Sequence, residues 1–338
     1  MGKYPVIFLS LKGIDGLSFE AAKYRLTELI GVEAERFAFL ADSEKLTENE
    51  RSKYRAIIHL VNGKYSMDED MLVSSLQTLS QLLCRHYGQK AMILIDEYDV
   101  PLDKAFQHGY YKEMVSLIRG LFGQALKTND DLQFAVLTGC LRVSKESIFT
   151  GTNNFVSDTI TNSRLNEYFC FVQHEVDQLL LSADFTDKAS AMKEWYDGYH
   201  FGTFDVYCPW DVMNYLLELQ RNPQASPVSY WKNTSDNAII RSFIDYAGSS
   251  ITKKLETLMA GGSILQRVDE NLTYDYLHSS EDNLWSLLYL TGYLTKAQTT
   301  IDTDELPPGM MELKIPNAEI KEIFETTVVR WFDESAKT

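Results

Sequence analysis

The sequence predicts an α/β protein in which a parallel sheet with its helices is followed by a second, mainly helical domain. Two short and almost wholly apolar runs, at residues 5–11 and 91–95, are typical of strands that are buried on both faces of a parallel sheet. Patterns of helical spacing separate these runs. From about residue 174 onward helical patterns dominate, and the 338 residues are enough for two domains of ordinary size.

The first domain, predicted over residues 1–173, alternates strands with helices. Buried strands that alternate with helices indicate a parallel sheet with right-handed crossovers. The strands are predicted at residues 5–11, 91–95, 133–137 and 168–172, and the helices at residues 19–30, 49–61, 69–87 and 110–127.

The second domain, predicted over residues 174–338, is mainly helical with small β wings. Apolar residues recur there at helical spacing, and three short segments can supply strands. The helices are predicted at residues 174–182, 186–196, 209–219, 236–246, 252–259, 281–290 and 317–332, and the strands at residues 263–268, 293–298 and 311–315.

The charge balance weighs against nucleic acid as a partner. The chain has 32 Lys and Arg against 48 Asp and Glu, a formal net charge of −16, whereas a surface that binds a phosphate backbone is rich in positive charge. The four cysteines form no CxxC pair that would indicate a zinc ribbon. No apolar run approaches the ~20 residues of a membrane span, and the first residues do not resemble a signal peptide. We therefore expect a cytoplasmic protein that does not contact a membrane.

The end of the second apolar strand carries the first candidate site. Ligands of open α/β sheets bind beyond the carboxyl ends of the strands, and there Asp96 and Glu97 directly follow an apolar run. This pattern is typical of a Walker B segment, in which the first carboxylate holds Mg²⁺ and the second orients or deprotonates the attacking water. An equally good interpretation from these residues alone is an acidic helix start at residues 96–99, with Pro101 in the first turn.

The next strand brings a hydroxyl to the same edge of the sheet. Thr138 follows this strand, and Arg142 lies four residues further on. The pair has the arrangement of a sensor threonine and an arginine that faces the phosphates of a nucleotide. The alternative is that Thr138 satisfies a turn while Arg142 pairs with the acidic cluster at residues 96–99.

Several long motifs, in the same order, resemble the AAA-ATPase-like proteins of anaerobic bacteria. The resemblance implies a P-loop ATPase domain, then a winged-helix-like region, then a PD-(D/E)XK nuclease-like domain. It also implies Mg-ATP as the cofactor, Asp96 and Glu97 as the Walker B pair with Asp96 on the metal, Thr138 as the sensor, and Arg142 near the phosphates. The motifs are KYPVIFLSLK at residues 3–12, ILIDEYD at 93–99, TGCLRVSKESIFTGTNN at 138–154, WYDGYHFG at 195–202 and YCPWDVMNY at 207–215.

The chain departs from this family at the phosphate-binding loop. The family's P-loop precedes the first strand, and GxxxxGK[ST] occurs nowhere in these 338 residues. A P-loop supplies the backbone N–H cradle and the lysine that hold the β- and γ-phosphates. We therefore expect an incomplete nucleotide site, with no Mg-ATP bound and no ATP hydrolysed by this chain alone.

The same departure removes the first strand of the P-loop-type sheet. Because buried backbone groups need hydrogen-bond partners, we expect the strand at residues 168–172 to close directly onto the strand at residues 133–137. Otherwise another segment or another chain would fill the slot.

Three functions follow as expectations. The first is an ATP-linked conformational switch, and the second is a non-catalytic module that binds a protein partner or itself. The third is a nuclease-associated protein that contacts DNA, which the net charge disfavours. Glu312 and Lys314 mimic half of a nuclease site, with Asp302 and Asp304 upstream, but the ExK tripeptide is common and a solvated strand edge is the favoured interpretation.

Overall fold

A computed structural model describes residues 2–140, 155–231, 249–270, 272, 280–298 and 307–335. The chain divides into two compact units: residues 1–156 with 271–275, and residues 157–270 with 276–338. We call them unit 1 and unit 2 and describe each by itself.

Unit 1 alternates strands and helices along the chain, as the sequence predicts. Its core is built from the helices and from the first and fourth strands. The elements are β1 (Val6–Ser10), α1 (Phe19–Glu35), α2 (Glu48–Ile57), β2 (Leu60–Val61), β3 (Lys64–Tyr65), α3 (Glu69–Tyr87), β4 (Ala91–Asp96), α4 (Val100–His108), α5 (Tyr111–Phe122) and β5 (Leu132–Leu137).

Local signals set the ends of the unit 1 helices. The Asp68 side chain caps α3 by accepting from the Met71 amide at 2.8 Å, and Gly88, with φ of 67°, ends the same helix in the left-handed conformation. The predicted helix over residues 49–61 is too long. It stops at Ile57 because Asn62 and Gly63, both at positive φ, form the turn of the β2–β3 hairpin.

The three long strands of unit 1 form a parallel sheet in the order β1-β4-β5. The register pairs Phe8 with Leu94 and Leu94 with Val136, and two residues earlier, on the same face, it joins Val6, Met92 and Phe134. The parallel direction confirms the sequence prediction.

The two faces of this sheet have different surroundings. Ile7, Leu9 and Ile93 are fully buried on the face that packs against the helices. On the opposite face Phe8, Phe134 and Val136 are 47%, 58% and 40% exposed. The prediction that the first strand is buried on both faces is therefore wrong, because in the described structure only alternate residues are covered.

Unit 2 is mainly helical and carries two small antiparallel sheets. The strand orders are β6-β8-β7 and β10-β11-β9, and the second sheet uses the three segments that the sequence predicts as strands. The elements are β6 (Phe171–Val172), α6 (Gln173–Ala183), α7 (Ala189–Tyr196), β7 (Tyr199–Phe201), β8 (Phe204–Tyr207), α8 (Pro209–Arg221), α9 (Ser249–Met259), β9 (Ile264–Arg267), α10 (Glu281–Leu290), β10 (Thr295–Lys296), β11 (Met310–Lys314) and α11 (Ala318–Ser335). The helix predicted over residues 236–246 lies outside the described residues.

The strand predicted over residues 168–172 does not join the parallel sheet. Its last two residues form β6, which pairs antiparallel with β8 through Val172 and Val206 in unit 2. Burial is the reason: Val172 and Val206 belong to the hydrophobic core of unit 2. Within the described residues β5 pairs with β4 alone, so the expected closure of residues 168–172 onto residues 133–137 is wrong.

Candidate functional site

The carboxyl ends of β4 and β5 meet at one edge of the sheet. Asp96 is the last residue of β4 and Thr138 directly follows β5. The Thr138 amide donates to the Ile95 carbonyl at 2.9 Å, and the Thr138 hydroxyl donates to Oδ1 of Asp96 at 2.6 Å. The sequence placed the two side chains at strand ends separately, and the parallel register brings them into contact.

Two further hydrogen bonds extend this pairing beyond the strands. The Tyr98 amide donates to the Thr138 carbonyl at 3.1 Å. The Cys140 amide donates to Oδ2 of Asp99, also at 3.1 Å. The segment after β4 and the segment after β5 are therefore held together over their first three or four residues.

Asp99 is the residue of this site that the sequence analysis missed. It stands at the N-cap position of α4, where its side chain makes no capping hydrogen bond. Its carboxylate is buried and accepts a hydrogen bond from the Cys140 amide across the sheet edge. An aspartate before Val100-Pro101 signals a helix start, in agreement with the helix-start interpretation of residues 96–99. The Walker B role of Asp96 and Glu97 stays a prediction.

Gly139 is fixed by the close approach of the two segments. A Cβ at this position would lie 2.6 Å from Oδ1 of Asp99 and 2.7 Å from the ring of Tyr98. Both neighbours are buried and neither can move away easily. Only glycine fits at this position without a shift of the Asp99 or Tyr98 side chain.

Glu97 adopts an unusual backbone conformation at the same edge. Its φ is 54°, in the left-handed region that costs a non-glycine residue roughly 1–2 kcal/mol. The turn at Glu97 redirects the chain from β4 toward α4. Strain of this kind is found at functional sites more often than elsewhere.

The donor set at this edge fits a magnesium ion that is shared with a phosphate. Mg²⁺ is held in such sites by one or two carboxylates together with water and phosphate oxygens. Asp96 supplies a carboxylate, half-buried at the edge of the sheet. Within the described ranges no group of three or more His, Cys, Asp or Glu is placed to hold a metal ion by itself.

The other predicted site residues are Arg142 and the nuclease-like set that includes Glu312. Arg142 lies outside the described residues, as do Asp302 and Asp304, so the role of Arg142 stays a prediction. Glu312, on β11, accepts a hydrogen bond from the Ser263 hydroxyl. That contact gives Glu312 a structural partner in unit 2.

None of the helices in the described part of the chain combines the length and the apolar character that a membrane crossing requires.

Comparisons with known proteins place this edge within a matched region. Residues 1–149 match the model of the AAA-ATPase-like family, described as predicted AAA-ATPase. A relative in Azotobacter chroococcum mcd 1, described as "Uncharacterized protein in vnfD 5'region", is 25% identical over 251 residues. Those residues are 74% of this chain but 45% of the relative, so the chain spans less than half of the relative's length. No solved structure matches.

Proposed function

We propose that this chain is the magnesium side of an ATP-dependent conformational switch, because residues 1–149 match the model of the AAA-ATPase-like family. Asp96 holds Mg²⁺, directly or through water, and Glu97 orients or deprotonates the attacking water. Thr138 senses the γ-phosphate, and Arg142 is the cation near the phosphates. The observation that carries this proposal is the 2.6 Å hydrogen bond from Thr138 to Asp96, because it joins the two roles at one edge of the sheet.

The Thr138 hydroxyl can serve as a sensor because it can rotate. In the described structure it donates to Asp96, which fixes the orientation of that carboxylate. A phosphate oxygen at the sheet edge would compete for the same proton, since charge-assisted hydrogen bonds to phosphate are strong. The Tyr98 amide, held by the Thr138 carbonyl, links such a change to the start of α4.

Mg-ATP neutralises and positions the transferring phosphate when it is bound. For this chain the proposal assigns the cradle of the β- and γ-phosphates to a P-loop outside these 338 residues. The half-exposed face with Phe8, Phe134 and Val136 supports this assignment of the P-loop to further residues, because parallel sheets are normally covered on both faces. The outer edge of β5, which no described strand pairs, offers a place for one more parallel strand.

The first test is the coding sequence immediately upstream of Met1. We expect it to continue in frame and to encode GxxxxGK[ST], followed by the helix that a P-loop opens, before the strand that starts near Pro5. An in-frame stop codon directly before Met1 would overturn this part of the proposal.

The second test is nucleotide binding by two forms of the protein. The 338-residue chain should show no change in melting temperature at millimolar Mg-ATP. The form extended upstream should be stabilised by about 2.7 kcal/mol at 100 times its Kd. Asp96→Ala should reduce the Mg²⁺ dependence of that shift. Asp42→Ala, at an exposed carboxylate in unit 1, should leave it unchanged.

A second candidate function is a non-catalytic interaction module, by self-association or with a protein partner. The observation in its favour is the same half-exposed apolar face of the sheet, since exposed apolar patches mark interaction sites. If the upstream sequence encodes no P-loop and Mg-ATP has no effect on either form, this function takes the place of the first.

A further inference from the structure

Unit 2 contains two buried acids that face each other from the starts of two helices. Asp211 lies in the first turn of α8 and Glu319 in the first turn of α11. They are 1% and 0% exposed. Asn317, just before α11, accepts a hydrogen bond from the Ile320 amide at 3.0 Å and so caps the turn that contains Glu319.

The Glu319 side chain binds the loop at residues 230–231 to the start of α11 through two hydrogen bonds. Its Oε1 accepts from the amides of Tyr230 and Trp231, at 2.7 and 2.9 Å. Just before them, the Tyr196 hydroxyl donates to the Val228 carbonyl at 2.9 Å and accepts from the Val228 amide at 3.1 Å. Residues 228–231 are therefore held by backbone hydrogen bonds to two side chains of unit 2.

The other carboxyl oxygens of the pair lack ordinary partners. Oε2 of Glu319 and both oxygens of Asp211 are buried without a hydrogen bond of normal geometry among the described residues. The Asp211 carboxyl lies beside the carboxyl of Glu319 and the thiol of Cys208. The described titratable groups around the pair are acidic or neutral at neutral pH; they are Tyr196 from α7, Tyr199 from β7, Cys208 before α8, and Tyr230 from the loop.

Two ionised carboxylates cannot stay side by side in such surroundings at low cost. Removing a charge from water without a cation is costly, and a like charge in contact adds to that cost. One proton held between the two groups relieves both penalties and supplies the missing hydrogen bond. Burial, and next the charge of Asp211, raise the pKa of Glu319 to about 8. Burial also raises the pKa of Asp211.

We propose that Asp211 and Glu319 share one proton and that this protonated pair is a pH-responsive lock, which fastens residues 228–231 to the starts of α8 and α11. The lock is a property of unit 2 and does not depend on the nucleotide function proposed for unit 1.

The direction of the pH effect follows from proton linkage. Folded unit 2 retains a proton that a glutamate in the unfolded chain releases above its ordinary pKa of 4.5. Between that value and about 8 the folded state binds more protons than the unfolded state, so stability falls as the pH rises. Below pH 4.5 the stability that the shared proton contributes is fully present, and above about pH 8 it has been lost and the stability stops falling.

The test compares melting temperatures from about pH 5 to about pH 9 in the full chain and its variants. The wild-type melting temperature should fall across this range up to about pH 8. Glu319→Gln should flatten the dependence, because its carboxamide keeps the acceptor for the loop amides and mimics the protonated acid. Asp211→Asn should act in the same direction. Glu325→Gln, a matched control on an exposed turn of α11, should follow the wild-type curve.

A wild-type slope in Glu319→Gln would overturn the proposal. If that variant fails to fold, infrared spectroscopy of the wild type decides instead. A protonated carboxyl band should be present at about pH 6.5 and disappear above about pH 8, and its absence at the lower pH would equally overturn the lock. Hydrogen exchange of the Tyr230 and Trp231 amides, corrected for intrinsic rates, should accelerate several-fold above about pH 8 in the wild type but not in Glu319→Gln.

Discussion

The hydroxyl of Thr138 donates to Oδ1 of Asp96 across 2.6 Å, and this hydrogen bond links side chains at the ends of two parallel strands. Thr138→Val should remove the hydrogen bond and keep the shape of the side chain. We expect a loss of about 0.5–1.5 kcal/mol in the free energy of unfolding, the usual net value of one hydrogen bond. Urea denaturation measures this loss.

Thr257→Val is the matched control for that measurement. Its hydroxyl donates to the Lys253 carbonyl one turn earlier on the exposed side of α9, so the change should stay within about 0.5 kcal/mol. Equal losses in the two variants would show that the Thr138–Asp96 contact contributes nothing specific.

Gly139→Ala should destabilise the sheet edge of unit 1. Its Cβ would lie 2.6 Å from Oδ1 of Asp99, and overpacking of a filled site costs about 1–3 kcal/mol. Gly123→Ala is the control, since a Cβ there meets no atom within 4 Å and the φ of −58° suits alanine. Chemical denaturation should separate the two, and a neutral Gly139→Ala would contradict the described packing.

Gly198→Ala should be the most damaging glycine substitution in unit 2. The φ of Gly198 is +101° and its Cβ would overlap the carbonyl oxygen of Pro316, so strain and collision add. Gly261→Ala, at a φ of +83° with open space around it, carries the strain alone and should cost about 1–2 kcal/mol. The difference between the two melting temperatures isolates the contact with Pro316, and similar values would refute that contact.

Phe134→Ser and Ile93→Ala change the two faces of the parallel sheet and should differ in how much stability they remove. Phe134 is more than half exposed, so its replacement should change stability by no more than about 0.5 kcal/mol. Under the second candidate function, self-association through this face, the same substitution should reduce association in sedimentation. Ile93 is fully buried, and its truncation should cost about 2–5 kcal/mol. A large loss of stability in Phe134→Ser would show that its face is covered.

The sequence alone predicted the parallel sheet because short apolar runs, separated by segments with helical spacing, carry that information locally. The strands β9, β10 and β11 were likewise predicted as segments, but their antiparallel pairing was not. The sequence-based prediction failed at two places, the pairing of residues 168–172 and the burial of the outer face of β1. Both depend on which distant segment packs or pairs there. Val172 pairs with Val206, and no pattern within residues 168–172 encodes that choice.

The sequence by itself determined which chemistry-bearing residues stand at strand ends, namely Asp96, Glu97 and Thr138. Only the tertiary structure decided that Thr138 donates to Asp96. It also decided that the Asp99 carboxylate accepts from the Cys140 amide and does not cap its own helix. The contact between Asp211 and Glu319 is a third example. Strand ends are set by nearest neighbours along the chain, whereas contacts between residues roughly 40 or 100 positions apart depend on register and helix packing. That physical difference explains why the candidate site could be predicted residue by residue and the buried acid pair could not.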